Sequence, residues 1–131
     1  MPEGNESRRQ PAGGLSGSTG MEPVTEELLG RMVRLIVNEV DPEKVILFGS
    51  RGRGDATPES DVDLVVIEAG AFDETRSRLR EEARLYKVLA GVRVRKDILV
   101  YSAEDVDYWR DSLNYVLARA LREGRVLYER P

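Results

Sequence analysis

The sequence predicts an α/β domain of the α+β kind, a small mixed β-sheet with helices packed on one face. Two observations carry this. From Thr25 onward, stretches with apolar residues at helical spacing alternate with short apolar runs of strand length. Their order is α-β-β-α-β-α with a closing β, and glycine, proline or a capping residue marks most junctions. The chain has 131 residues, 40% hydrophobic and 34% charged, which suits one core beneath a densely charged surface.

Residues 1–22 are rich in Gly, Ser, Pro and polar groups, too poor in apolar surface to offset the entropy of ordering. They are expected to form a flexible N-terminal tail ahead of a domain spanning 23–131, with Met21 an alternative start. Thr25 caps the first helix, whose opening turn carries Glu26 and Glu27 where negative charge suits the helix dipole. Leu28, Met32, Leu35, Ile36 and Val40 mark its apolar face, and Asp41-Pro42 stops it. Lys44 to Phe48 reads as a buried strand ending at Gly49, and Val62 to Ile67 as a second strand beyond a Gly- and Arg-rich loop.

Phe72 to Ala90 is expected to be a helix with Leu79, Ala83, Tyr86 and Leu89 inward and Gly91 as its stop. Val92 to Tyr101 reads as a third strand. Val92, Val94, Ile98 and Val100 share one face; Arg93, Arg95 and Asp97 share the other. Ser102, with Asp105 three positions on, opens a third helix that buries Val106, Trp109, Leu113, Val116 and Ala120 and ends at Gly124. Arg125 to Glu129 closes the domain as a short edge strand.

Composition excludes several chemistries. The chain has no cysteine and no histidine, so thiolate nucleophiles, disulfides, imidazole metal sites and Ser-His pairs are absent. Any metal must be held by oxygen, which selects hard cations such as Mg²⁺ or Mn²⁺. A net charge of −4, from 20 basic and 24 acidic residues, argues against a general nucleic-acid coat. No apolar run has the length of a membrane span and no secretory signal pattern is present, so a soluble cytoplasmic protein is expected.

The chemistry concentrates between Gly49 and Leu64. Gly49, Gly52 and Gly54 free the backbone to turn tightly, and successive N–H groups in such a turn can cradle an anion. Ser50 adds a hydroxyl donor; Arg51 and Arg53 add cations suited to phosphate. The Gly-Lys-Ser/Thr ending of a P-loop is missing. Asp61 and Asp63, two apart on a strand, point to one side, and carboxylates that close repel unless a cation joins them. Two divalent metals so held can align attacking oxygen, phosphorus and leaving oxygen, an arrangement that wants a third carboxylate. Asp97 is its natural supplier, with Arg93 and Arg95 beside it to frame a substrate. Each residue alone has an ordinary structural explanation; their coincidence does not.

Gly49-Ser50, ten residues, then Asp61-x-Asp63 resembles the signature of the nucleotidyltransferase fold of the DNA polymerase β superfamily. The form GSRGRG…SDVDLVV is most similar to the minimal nucleotidyltransferases, and the resemblance runs over residues 24–130, including the closing REGRVLYE. It implies that Asp61, Asp63 and Asp97 bind two Mg²⁺ ions, with Asp97 also activating the acceptor hydroxyl. It further implies that Gly49 and Ser50 hold the triphosphate of a nucleotide, ATP being expected, with Arg51 and Arg53 assisting. Minimal nucleotidyltransferases are commonly paired with a helical HEPN toxin, and some adenylylate a tyrosine on it. The resemblance therefore implies an antitoxin acting by AMP transfer to such a partner, without direct nucleic-acid binding. Two other readings stand beside it: an antitoxin that masks its partner without catalysis, and an aminoglycoside-type transferase acting on a small molecule.

Overall fold

The computed structural model describes residues 20–111 and 116–131; the segment ahead of Gly20, most of the expected tail, lies outside the described residues. The elements are α1 (Glu26–Val40), β1 (Lys44–Phe48), α2 (Gly49–Arg53), β2 (Val62–Glu68), α3 (Arg78–Val88), β3 (Lys96–Ser102), α4 (Ala103–Trp109), α5 (Val116–Glu123) and β4 (Arg125–Glu129). Thr25 Oγ1 accepts from Leu28 N at 3.0 Å, and α1 ends on Asp41 in the left-handed conformation just ahead of Pro42. Glu22, assigned to the tail from sequence, is fastened: its carboxylate accepts from Arg31 and from Arg93 N at 3.0 Å.

The four strands form one mixed sheet in the order β3-β2-β1-β4. β1 runs antiparallel to both β2 and β4, whereas β2 and β3 are parallel, with α3 in the crossover between them. Val45, Leu47, Leu64, Val66, Ile98 and Val100 pack against α1 and α3 through Met32, Ile36, Leu85 and Leu89. The opposite parity, Ile46, Val65, Ile67 and Tyr101, packs under α4 and α5 through Val106, Trp109, Leu117 and Ala120. The expected mixed sheet is present, but helices cover both of its faces, because β1 and β2 are apolar at consecutive positions and each parity needs a cover. Among the described residues, no helix is long and apolar enough to cross a membrane.

Three element expectations change. The helix expected from Phe72 begins only after Ser77, because Asp73 Oδ1 accepts from Thr75 N (2.8 Å), Thr75 Oγ1 (2.8 Å) and Arg76 N (2.9 Å), a turn that competes with helix. Its inward face is Glu81, Leu85 and Leu89, while Leu79 is 74% exposed and Ala83 and Tyr86 face outward. The single helix expected from Ser102 to Gly124 is two helices, α4 and α5. Val116 is exposed where Leu117 and Ala118 are buried, and Leu113 lies outside the described residues. β3 starts at Lys96 rather than Val92, although its predicted alternation of buried Val92, Val94, Ile98 and Val100 with exposed Arg93, Arg95 and Asp97 holds.

One buried polar contact sits at the C-terminal end of β2. Glu68 is 2% exposed, its Oε2 finds no hydrogen-bond donor among the described residues, and its carboxyl meets that of buried Glu81. Arg84 holds Glu81 at 3.2 Å and also reaches Glu39 on α1; Arg76 lies 3.8 Å from Glu68. Burial first, then the neighbouring Glu81, pushes Glu68 up to about 8, so a proton is retained between the two carboxyls. In the unfolded chain Glu68 ionises near its ordinary 4.5, so folding takes up a proton between these values. Stability therefore falls as pH rises from about 4.5 to about 8 and levels off above. Glu68→Gln, which stays neutral, is expected to flatten this decline in denaturant melts taken across that range.

Candidate active site

The register of the sheet brings the acidic residues to one end. Phe48 of β1 stands opposite Asp63 of β2, and Asp63 opposite Asp97 of β3. Asp63 and Asp97 thus sit on neighbouring strands, about 4.8 Å apart along the hydrogen-bonding direction. Asp61 precedes β2 with the same parity as Asp63. Burial, then Asp97, then Asp61 push the Asp63 carboxyl above its ordinary value, and only Arg51 opposes them. Asp63 is half-buried and open to solvent, unlike Glu68 at the other end of the strand.

Gly49 makes this geometry feasible. Its φ is +68°, and a Cβ there would stand 2.5 Å from Asp63 Oδ2, so a side chain is excluded by both backbone and space. The stretch expected to be a loop, Gly49 to Arg53, instead forms one turn of helix that Gly54 closes with φ +85°. Ser50 stands in that turn, half-buried, next to Gly49. Arg51 folds over the following loop, donating from Nε and Nη2 to Ser60 O (3.1 and 2.7 Å) and from Nη2 to Thr57 O. Its guanidinium shapes the loop that leads into Asp61 rather than projecting free, and Arg53 lies 3.4 Å from Asp55.

Asp61, whose charge reaches Asp63, also has a counter-charge of its own. Its Oδ1 pairs with Arg95 Nε at 3.3 Å, while Arg95 also donates to Glu59 O. Among the described residues no group of three acidic side chains is arranged to hold a metal ion, while the sheet register sets Asp63 beside Asp97 and the charge of Asp61 reaches Asp63. The fit to a divalent cation is nonetheless favourable at Asp63 and Asp97: the donors are hard oxygens, and their mutual repulsion is the kind a cation relieves. Asp61 shares the parity of Asp63, and its pair with Arg95 engages Oδ1 at a solvent-exposed position.

Beside Gly49 opens a cleft of about 200 Å³ lined by Phe48, Arg53, Val116, Arg119 and Ala120. It offers apolar surface and two cations next to the acidic pair. A larger cavity, about 460 Å³, lies at the far end of the sheet around Lys44, Ile67 and Arg110, away from the aspartates. The acids, not cavity size, locate the site.

Sequence reasoning missed Arg119 and Tyr86. Tyr86 was expected in the core, yet its hydroxyl accepts from Ile98 N at 2.8 Å and donates to Asp97 Oδ1 at 3.3 Å. Burial and the nearby Asp97 hold the phenol above its usual range, so it stays a donor. The signal for it was weak: a tyrosine at i+4 from Glu82 on the helix that precedes the Asp97 strand.

Gly49→Ala forces a left-handed φ on alanine and a clash with Asp63, so a stability loss of roughly 1–3 kcal/mol is expected in denaturant titration. Gly54→Ala has the same backbone cost but nothing within 4 Å, so it should leave any nucleotide-dependent activity closer to wild type than Gly49→Ala does.

The family model described as a nucleotidyltransferase domain matches residues 30–126. Two proteins of Methanocaldococcus jannaschii, each named a "putative protein adenylyltransferase", are similar to this chain. One is 33% identical over 66% of this chain and 78% of its own length. The other is 34% identical over 44% of this chain and 54% of its own length. The crystal structure of a "putative nucleotidyltransferase" from Sulfolobus solfataricus matches with a TM-score of 0.52 at 24% identity, covering 85% of this chain and 94% of that one, which shows a shared fold. The resemblance to minimal nucleotidyltransferases fits these relatives. With the match spanning most of the chain and the two motif strands inside it, the protein belongs to the nucleotidyltransferase domain family and is an enzyme of that type.

Proposed function

We propose that this chain is a Mg²⁺-dependent nucleotidyltransferase that passes AMP from ATP to a hydroxyl of a partner protein, as the antitoxin of a HEPN/MNT pair in the cytoplasm. The observation that carries the catalytic part is the register of Asp63 against Asp97 beside Gly49. The relatives named as protein adenylyltransferases support a protein acceptor. The antitoxin role draws on the similarity of the GSRGRG…SDVDLVV stretch to minimal nucleotidyltransferases.

Asp63 and Asp97 would hold the divalent cation, with Asp61 as third ligand. Bound there, Mg²⁺ would neutralise charge developing on the transferred phosphoryl group. Gly49 N–H and the Ser50 hydroxyl, in the turn that follows β1, would suit phosphate oxygens, with Arg53 and Arg51 adding positive charge. Arg119 lines the cleft in which the nucleotide would lie. Asp97 accepts the proton of the acceptor hydroxyl. The acceptor oxygen forms a bond to the α-phosphorus, the bond from that phosphorus to the β-phosphate oxygen breaks, and pyrophosphate leaves with the electron pair.

The test is transfer of α-labelled ATP to the protein encoded beside this one. Label is expected on the partner with Mg²⁺, lost with a chelator, and reduced to background by Asp61→Ala with Asp63→Ala. Equal labelling by that double variant would refute the site. Neutralisation of a toxic partner that survives loss of all three aspartates would replace catalysis with masking.

A further inference from the structure

Among the described residues β3 lies at the edge of the sheet, and its outer amides face no further strand. Helix α3 meets them instead. Glu82 Oε2 accepts from Val100 N at 3.1 Å, and Tyr86 Oη accepts from Ile98 N at 2.8 Å. Glu82 and Tyr86 are one helical turn apart, and Ile98 and Val100 are two apart on the strand, so two rungs of a clamp join the helix to the edge. An unpaired edge is usually blunted in some such way, which accounts for the Glu82 rung.

The Tyr86 rung does more. A phenol oxygen has one proton, and with its acceptor side facing Ile98 N–H that proton is directed elsewhere. It goes to Asp97 Oδ1, 3.3 Å away. We propose that Tyr86 is a positioning residue for the nucleotidyl-transfer site: anchored on the Ile98 amide, its hydroxyl fixes the orientation of the Asp97 carboxylate and leaves Oδ2 for a divalent cation. This rests on the reading of Asp63 and Asp97 as cation ligands. A rigid ring carried by α3 holds one carboxylate oxygen, so the pair meets the ion without first ordering a free side chain. Hydrogen bonds to ligating carboxylates from outside the coordination sphere commonly tune affinity in this manner.

The experiment uses the full chain and Mn²⁺ as probe, with free Mn²⁺ followed by electron paramagnetic resonance, and thermal midpoints read on the same samples. Asp63→Asn and Asp97→Asn are expected to abolish binding at the site. Tyr86→Phe keeps the ring and its packing and removes only the hydroxyl; its Mn²⁺ dissociation constant should rise by about tenfold. Glu82→Ala removes the other rung of the same clamp and should bind Mn²⁺ within about twofold of wild type, whatever its thermal midpoint, because it touches no cation ligand. Wild-type affinity in Tyr86→Phe, or an equal loss in Glu82→Ala, overturns the positioning role. Wild-type binding by Asp63→Asn and Asp97→Asn overturns the underlying cation site, and the role of Tyr86 with it.

Discussion

Two carboxylates on adjacent parallel strands at the same register form the constraint around which this domain is arranged. Asp63 and Asp97 cannot drift apart, because each lies in a strand whose pairing is set by Leu64, Val66, Ile98 and Val100 in the core beneath. Slipping either strand by one residue would turn its apolar set to the wrong face. The core therefore enforces an electrostatic conflict that its own packing does not relieve. Three groups near the pair bear on that conflict: Gly49 leaves room for Asp63 Oδ2, Arg51 opposes the raised carboxyl, and Tyr86 donates to Asp97.

Covering both faces of the sheet makes that enforcement strong. β2 is buried at six of its seven positions, and the exception is Asp63. α1 and α3 seal one face and α4 and α5 the other, so the strand is fixed from both sides while its acidic end reaches solvent. α2 follows directly from β1 at that end, and β4 returns along the outer side of β1 through Arg125, which pairs with Glu26 at 2.9 Å. The site is assembled from strand ends and the turn after β1, and these rest on the least deformable part of the molecule.

How much of this was legible in the sequence depends on the range of the interaction involved. The alternation that placed Asp97 and the caps at Thr25 and Ser102 are local patterns with period or spacing as their signal, and each stands as read. The inward face of α3 was misread because Glu81, a charged residue, is buried by its contact with Glu68, while Leu79 is left in solvent. No periodicity scheme assigns a glutamate to the core. Strand parity and the motif place Asp61 on the side of Asp63, but neither states which counter-charge its side chain finds, and that is Arg95. Tyr86 was taken for a core residue because an aromatic at helical spacing carries no mark of what its hydroxyl will touch.

β2 carries an acidic conflict at each end, and the contrast shows what separates a structural one from a reactive one. Glu68 is sealed from solvent against Glu81, with Arg76 and Arg84 alongside, so the conflict is settled inside the protein by a retained proton. Asp63 is raised by the same two causes, burial and neighbouring carboxylates, yet it opens to solvent beside a cleft that contains Arg53 and Arg119. A proton suffices at the closed end because nothing else can reach it. At the open end, on the proposed function, a small hard cation would compete with the proton, since one divalent charge offsets both acids while a proton offsets one. A raised carboxyl by itself thus marks only stored repulsion. The open route from solvent, with Arg53 and Arg119 alongside, is what would turn that repulsion toward binding a metal and a nucleotide under the proposed function.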